Sequence, residues 1–332
     1  MYIENSNFSL WCDFIERDFL TDGLNKLIDK KIINGATSNP SIFKNAFLTS
    51  LAYKEDIKAL KGKSPKEIYE TLAIKDIQVC ADLLLELYEN GDDGFISIEV
   101  DPNLCNDAKG TINEAKRLND AINRQNVMIK IPATDAGFEA MELLISEGIH
   151  VNATLVFSPL QAKKCLDAFE NGSVKFLKNN SKSLPKAVIS IFVSRFDRKM
   201  DDALFERNIK GGLLGIFNAS FIYNNIKKRD LPNVRALFAS TGVKGDKYVK
   251  DYYITNLLFA NSINTAPIET IEAFVKTGIN EIREPLKNEQ IEEFFEVIKN
   301  QEFDLNLLYK ELMDEGLIAF KDAFSDILKT LE

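Results

Sequence analysis

The stretch Asn126-Val-Met-Ile-Lys-Ile-Pro-Ala-Thr134 reads as a short buried strand with one lysine in its midst. Period-2 alternation puts Val127, Ile129 and Ile131 on one face and Met128 and Lys130 on the other. Pro132 has no N–H to give to a ladder and marks the strand's end. Lys130 therefore falls near the C-terminal end of a buried strand. Lysine is almost never fully buried without a reason. Burial favours the neutral amine, and a neutral amine is the nucleophile that a Schiff base with a carbonyl substrate requires. The competing reading is a lysine that snorkels to the strand end and pairs with a carboxylate.

Outward from this strand, short apolar runs and helical stretches alternate. Strands are expected over 10–14, 32–37, 95–100, 151–157, 187–193 and 234–240, with a weaker one over 261–265. In the first of them alternation sets Leu10, Cys12 and Phe14 against Trp11 and Asp13. Helical spacing runs over 23–30, 68–87, 111–123, 136–145 and 211–227, and residues 268–332 read as helix. Ser64-Pro65 and Ser158-Pro159 each look like an N-cap followed by proline at the first helical position. Eight such alternations argue for a parallel sheet with helical crossovers. The expected fold is α/β, a closed (β/α)8 TIM barrel with additional helices. It forms one domain over 1–332, with a C-terminal helical region from about 281 to 332. No GxGxxG follows a strand, which disfavours dinucleotide binding.

The chain has 332 residues, 45% hydrophobic and 27% charged, with a net charge of -9. That composition is globular, and the negative field disfavours nucleic acid or anionic membrane as partners. An anionic substrate needs a local basic pocket. Cys12, Cys80, Cys105 and Cys165 are scattered, without a CxxC pair, which fits a reducing cytoplasm. His150 is the only histidine, so a Ser-His-Asp triad and a multi-histidine metal site are poor hypotheses. Met1-Tyr-Ile-Glu-Asn-Ser6 lacks the features of a signal peptide, and no apolar run approaches the ~20 residues of a membrane span. A cytoplasmic location is the expectation.

Barrel active sites lie at the C-terminal ends of the strands, and polar residues collect there. Asp13 closes the first strand, Thr37 and Asn39 the second, Glu99 the third and Lys130 the fourth. Asn152 and Thr154 lie in the fifth, Ser190 in the sixth, and Ser240 closes the seventh. Taken singly, Asp13 and Asn39 are equally good helix caps and Glu99 an exposed strand-end carboxylate. Capping does not explain their convergence on one rim. A lysine beside carboxylates suits Schiff-base aldol chemistry. The imine acts as electron sink, one carboxylate takes the hydroxyl proton, and another shuttles protons as the carbinolamine dehydrates.

Apart from Asp13, these residues lie in stretches that resemble the transaldolases of the pentose phosphate pathway. They are Thr37-Ser-Asn-Pro-Ser-Ile42, Ile98-Glu-Val-Asp101, Met128-Ile-Lys-Ile-Pro-Ala-Thr134 and Val151-Asn-Ala-Thr-Leu-Val-Phe-Ser158. Ile189-Ser-Ile-Phe-Val-Ser-Arg195 and Ala239-Ser-Thr-Gly-Val-Lys244 complete the set, and these two look most like the bacterial and plant-type subgroup. The resemblance implies a Schiff-base lysine at Lys130 and no cofactor or metal. It also implies transfer of a dihydroxyacetone unit from a ketose phosphate, such as sedoheptulose 7-phosphate, to glyceraldehyde 3-phosphate. Asp13 would be the general acid/base, and Glu99 and Thr154 would hold the water of imine formation and hydrolysis. Asn39 and Asn152, with Ser190 nearby, would bind the dihydroxyacetone hydroxyls, and Arg195 the phosphate. Many members carry a second phosphate arginine after the seventh strand. This chain departs there, with Lys244 the nearest candidate and Arg235 a rival whose place at the strand start suits a structural pair.

A glycosidase using Asp13 and Glu99 is the alternative from another class, and it leaves Lys130 without a role. A non-catalytic sugar-phosphate binder needs no buried lysine. An aldolase releasing dihydroxyacetone is the nearest chemical neighbour.

Overall fold

Alternation along each strand divides the side chains between two apolar layers. Ile98, Ile129, Ile131, Val151 and Ile189 belong to the larger layer, under the helices, while Trp11, Phe95, Met128, Val188, Leu237 and Ile263 fill the barrel. Each such side chain, fully buried, contributes roughly 1.5–3 kcal/mol. The computed structural model describes residues 3, 6–180 and 182–332. The reading of the N-terminus as carrying no signal peptide rests mainly on residues 1, 2, 4 and 5, which lie outside them.

The strands are β1 (Ser9–Cys12), β2 (Gly35–Thr37), β3 (Phe95–Glu99), β4 (Val127–Pro132), β5 (His150–Val156), β6 (Ala187–Phe192), β7 (Val234–Ala239) and β8 (Ser262–Ala266). They pair in parallel in chain order, and β8 closes on β1. The (β/α)8 barrel is thus the fold. Its interior is tightly built at the N-terminal end. A Cβ on Gly35 would lie 2.5 Å from Trp11 Nε1, so glycine is what lets the indole lie against β2. Trp11 Nε1 donates to Asp93 Oδ2 at 2.9 Å, and Arg235 Nη1 pairs with Asp93 Oδ1 at 2.7 Å. Arg235 is therefore a structural ion pair at the opposite end from the strand C-termini.

Helix starts follow the sequence signals. Ser64 with Glu67 and Ser158 with Gln161 form capping boxes ahead of the helices Pro65–Glu89 and Pro159–Asn179. The polar, basic run after β6 is itself helical, Ser194–Phe205. The C-terminal region departs from continuous helix. Ile268–Thr277 ends at Gly278, which takes φ 70°, and 279–287, containing Pro285, is not helical. Helices Asn288–Asn300 and Leu305–Thr330 follow. The last of these crosses the C-terminal rim. Leu308, Leu312 and Phe320 join the layer that fills the barrel, and Phe324 and Ile327 join the layer under the helices. Among the described residues no helix is long and apolar enough to cross a membrane.

Candidate active site

Lys130 is 5% exposed on β4, facing the barrel interior at its C-terminal end. The registers put Glu99 of β3 and Asn152 of β5 directly beside it. Its Nζ donates to the Ser38 carbonyl at 3.0 Å and lies 3.9 Å from Glu99 Oε2. The amine is thus held by one neutral acceptor and one distant carboxylate rather than by a close ion pair.

Asp13 follows β1 across the same space. Thr37 Oγ1 donates to Asp13 Oδ1 at 2.6 Å and lies 2.7 Å from Thr265 Oγ1. A hydroxyl has one proton, so Thr37, giving its own to Asp13, accepts from Thr265. Burial pushes the Asp13 carboxyl above its ordinary range, against the pull of Lys130 and of the Thr37 hydrogen bond. Burial also lifts Glu99 to about 7, with Lys130 opposing and Asp13 reinforcing. Both Glu99 oxygens and Thr154 Oγ1 are buried without a hydrogen-bond partner among the described residues. Buried polar groups are rarely left so, and such a group calls for an explanation.

A cavity of about 180 Å³ opens above Lys130, lined by Asp13, Thr37, Asn39, Lys130, Ser190 and Arg195, and also by Ser41, Phe192, Ala239, Ser240, Thr265 and Phe320. Asn39 is both a cap and a cavity residue. Its Oδ1 accepts from Ile42 N at 3.0 Å, starting the helix Pro40–Thr49, which leaves its amide nitrogen to donate to a ligand. Glu99, Asn152 and Thr154 stand behind the cavity wall. Asn152 is locked there, accepting from Ser190 Oγ at 2.6 Å and donating to Ser97 Oγ at 3.1 Å.

Arg195 lies in the first turn of the helix after β6, its guanidinium 5.1 Å from the Phe192 ring centre. Burial and the neighbouring Arg198 hold it down at about 10, with Glu315 acting the other way, so it is cationic at neutral pH. No carboxylate among the described residues lies within ion-pair distance of it. Lys244 is exposed and does not border the cavity.

At the C-terminal ends of their strands, Leu155 at φ 56° and Ser240 at φ 54° have left-handed backbones. Non-glycine residues adopt this region at a cost, which concentrates at functional sites. At Leu155 the β5–β6 register shifts, and Gln161 Nε2 ties down the Leu155 carbonyl at 3.2 Å. Sequence reasoning passed over Thr265, Ser97 and Phe320. Thr265 was findable, because it sits two residues after the inward-facing Ile263. Phe320 carried no signal, since its place depends on where the last helix crosses the rim.

A family profile described as transaldolase/fructose-6-phosphate aldolase matches residues 10–331. A protein of Campylobacter jejuni subsp. doylei named transaldolase is 51% identical over 331 residues, covering 98% of this chain and 99% of that protein. A transaldolase of Campylobacter jejuni subsp. jejuni is 52% identical with the same coverage. One from Helicobacter pylori strain P12 is 47% identical over 324 residues, covering 97% and 99%. With a barrel of eight parallel strands and this match along nearly its full length, the chain belongs to the transaldolase/fructose-6-phosphate aldolase family.

Proposed function

We propose that the chain is a transaldolase of sugar-phosphate metabolism, moving a dihydroxyacetone unit from a ketose phosphate to an aldose phosphate through an imine on Lys130. The observation that carries this is the Lys130 amine, buried at the floor of a small cavity whose wall also holds Asp13 and an Arg195 with no carboxylate partner among the described residues. The donors are sedoheptulose 7-phosphate or fructose 6-phosphate, and the acceptors glyceraldehyde 3-phosphate or erythrose 4-phosphate.

Lys130 adds to the ketose carbonyl, and the carbinolamine loses water to give the imine. Glu99 and Thr154, with their unmatched oxygens, are suited to hold that water and pass its protons, and a carboxyl near 7 both gives and takes a proton at neutral pH. Asp13 takes the C4 hydroxyl proton. The C3–C4 bond breaks, the electron pair enters the imine as an enamine, and the aldehyde leaves. The enamine carbon then adds to the acceptor aldehyde, Asp13 returns the proton, and water releases the new ketose from Lys130. Asn39 and Ser190, with Asn152 behind Ser190, orient the dihydroxyacetone hydroxyls, and Arg195 receives the phosphate.

Borohydride reduction with fructose 6-phosphate tests this. The expected result is a stable sugar adduct on Lys130, found by peptide mass mapping. Lys130→Arg, which keeps charge but cannot form the imine, should lose both adduct and turnover. Near-normal turnover in that variant would refute the mechanism.

A further inference from the structure

The C-terminal helix brings an aromatic ring into the reaction cavity from outside the barrel. Phe320 is 5% exposed and lines the same cavity of about 180 Å³ as Lys130 and Asp13. The helix that carries it is fastened on both sides of the mouth. Before Phe320, Tyr309 Oη donates to Asn218 Oδ1 at 3.1 Å, and Lys199 pairs with Glu311 at 2.9 Å and Glu315 at 2.6 Å. After it, Phe324 meets Tyr69 edge-on at 5.2 Å and Lys44 pairs with Asp326 at 2.7 Å. Between the two sets of ties Gly316 lets the helix descend, since a Cβ there would lie 2.9 Å from Leu155 Cδ2. An apolar side chain held this firmly offers nothing to a sugar hydroxyl, and its position needs another explanation.

We infer that Phe320 keeps water from the enzyme-bound dihydroxyacetone, and so sets the balance between transfer and release. The inference rests on the Schiff-base reading of Lys130. After cleavage the enamine has two fates. In transfer, its carbon bonds to the acceptor's carbonyl carbon. In release, the same carbon takes a proton from water, hydroxide equivalent to that water adds to the imine carbon, and the carbinolamine collapses to dihydroxyacetone and the Lys130 amine. Release consumes one water and no oxidant or reductant. The imine carbon is already served by the water that Glu99 and Thr154 hold for normal turnover, so release is decided by whether water reaches the enamine carbon while the acceptor site stands open. Phe320, which lines the same cavity as Phe192, removes the volume that water would occupy beside the enamine carbon, whereas the aldehyde acceptor brings its own electrophile. Excluding water to prevent hydrolysis of a reactive intermediate is an established use of an apolar wall.

The test is the partition ratio, dihydroxyacetone released per unit transferred, with fructose 6-phosphate as donor and erythrose 4-phosphate as acceptor. The ratio is a property of the folded molecules alone, so partial unfolding of a variant does not move it. Phe320→Ala should raise it at least tenfold and Phe320→Leu by a smaller factor, with the borohydride adduct on Lys130 retained in both. A ratio within twofold of wild type in both variants overturns the inference. Failure of wild type itself to give the adduct would instead overturn the Schiff-base reading, so the two failures are distinct.

Discussion

Glu99 shows how far one buried carboxyl couples the site to pH. Its folded value of about 7 lies above the ordinary 4.5 because burial penalises the charged form, with Lys130 opposing and Asp13 adding to the rise. The folded chain therefore binds this proton more tightly than the unfolded chain. From about pH 4.5 to about 7 the folded state carries the extra proton, so stability from this group falls as pH rises and is level above that window. The full difference is about 3 kcal/mol. Glu99→Gln is neutral throughout. In urea titrations the stability of wild type relative to this variant should drop by up to about 3 kcal/mol across that window. A pH-independent difference would mean that Glu99 titrates normally. The rate of adduct formation should likewise lose its inflection near pH 7 in the variant, while C–C cleavage keeps its own dependence on Asp13. Asp13→Ala should form the adduct yet cleave roughly 100- to 10,000-fold more slowly, the usual worth of a general acid/base. An Asp13→Ala protein that cleaved normally but formed no adduct would exchange the two roles.

Among the elements, the strands and the last helix were legible, but the place where that helix docks was not. Buried parallel strands are continuous apolar runs, and the inward polar residues interrupt those runs at regular places. Asp13, Lys130, Asn152 and Ser190 could therefore be assigned to one face from alternation alone. The C-terminal helix has an apolar stripe from Leu308 to Ile327, which foretells burial but not against what. Its crossing depends on Gly316, and that yields a prediction. Alanine is favoured over glycine inside a helix by about 1 kcal/mol. At this position, however, its Cβ would press Leu155 Cδ2 at 2.9 Å and Arg195 Nη1 at 3.3 Å. Both are ends of side chains that yield at modest cost. Gly316→Ala should therefore change the unfolding free energy by less than about 1 kcal/mol, the helix-propensity gain offsetting the crowding. It should nevertheless lower kcat/KM for phosphorylated ketoses by about tenfold, because sub-ångström to ångström displacement of a positioning group is costly. Unchanged kcat/KM would show that the helix does not set the position of Arg195.

At the scale of the whole molecule, the question is how a protein of net charge -9 would hold the doubly charged phosphate of the proposed substrate. The field at a distance repels the substrate, so attraction must be local and desolvated. The resemblance drew attention to Arg195 and Lys244 together, on neighbouring strand ends. The structure separates them, with Arg195 lining the cavity and Lys244 exposed. Sequence position could not distinguish them, because both follow a strand, and only the path of the loop after β7 decides which side chain reaches inward. A half-buried guanidinium with no carboxylate partner among the described residues is costly to the fold, and the proposed substrate's phosphate would relieve that cost through two-point hydrogen bonding. Arg195→Ala should lower kcat/KM for fructose 6-phosphate by ~2–4 kcal/mol, the scale of breaking a charge-assisted clamp. The loss should appear in turnover as well as in binding, because the phosphate end orients the remote carbonyl against Lys130. Unphosphorylated fructose should lose far less in the same variant. Lys244→Ala should fall within about threefold of wild type on both sugars, its charge being exposed and screened. Steady-state kinetics of the two variants on the two sugars decide the assignment. Equal losses on both sugars in Arg195→Ala would make that residue structural. A large loss confined to the phosphorylated sugar in Lys244→Ala would show that the loop after β7 closes over the phosphate when substrate binds.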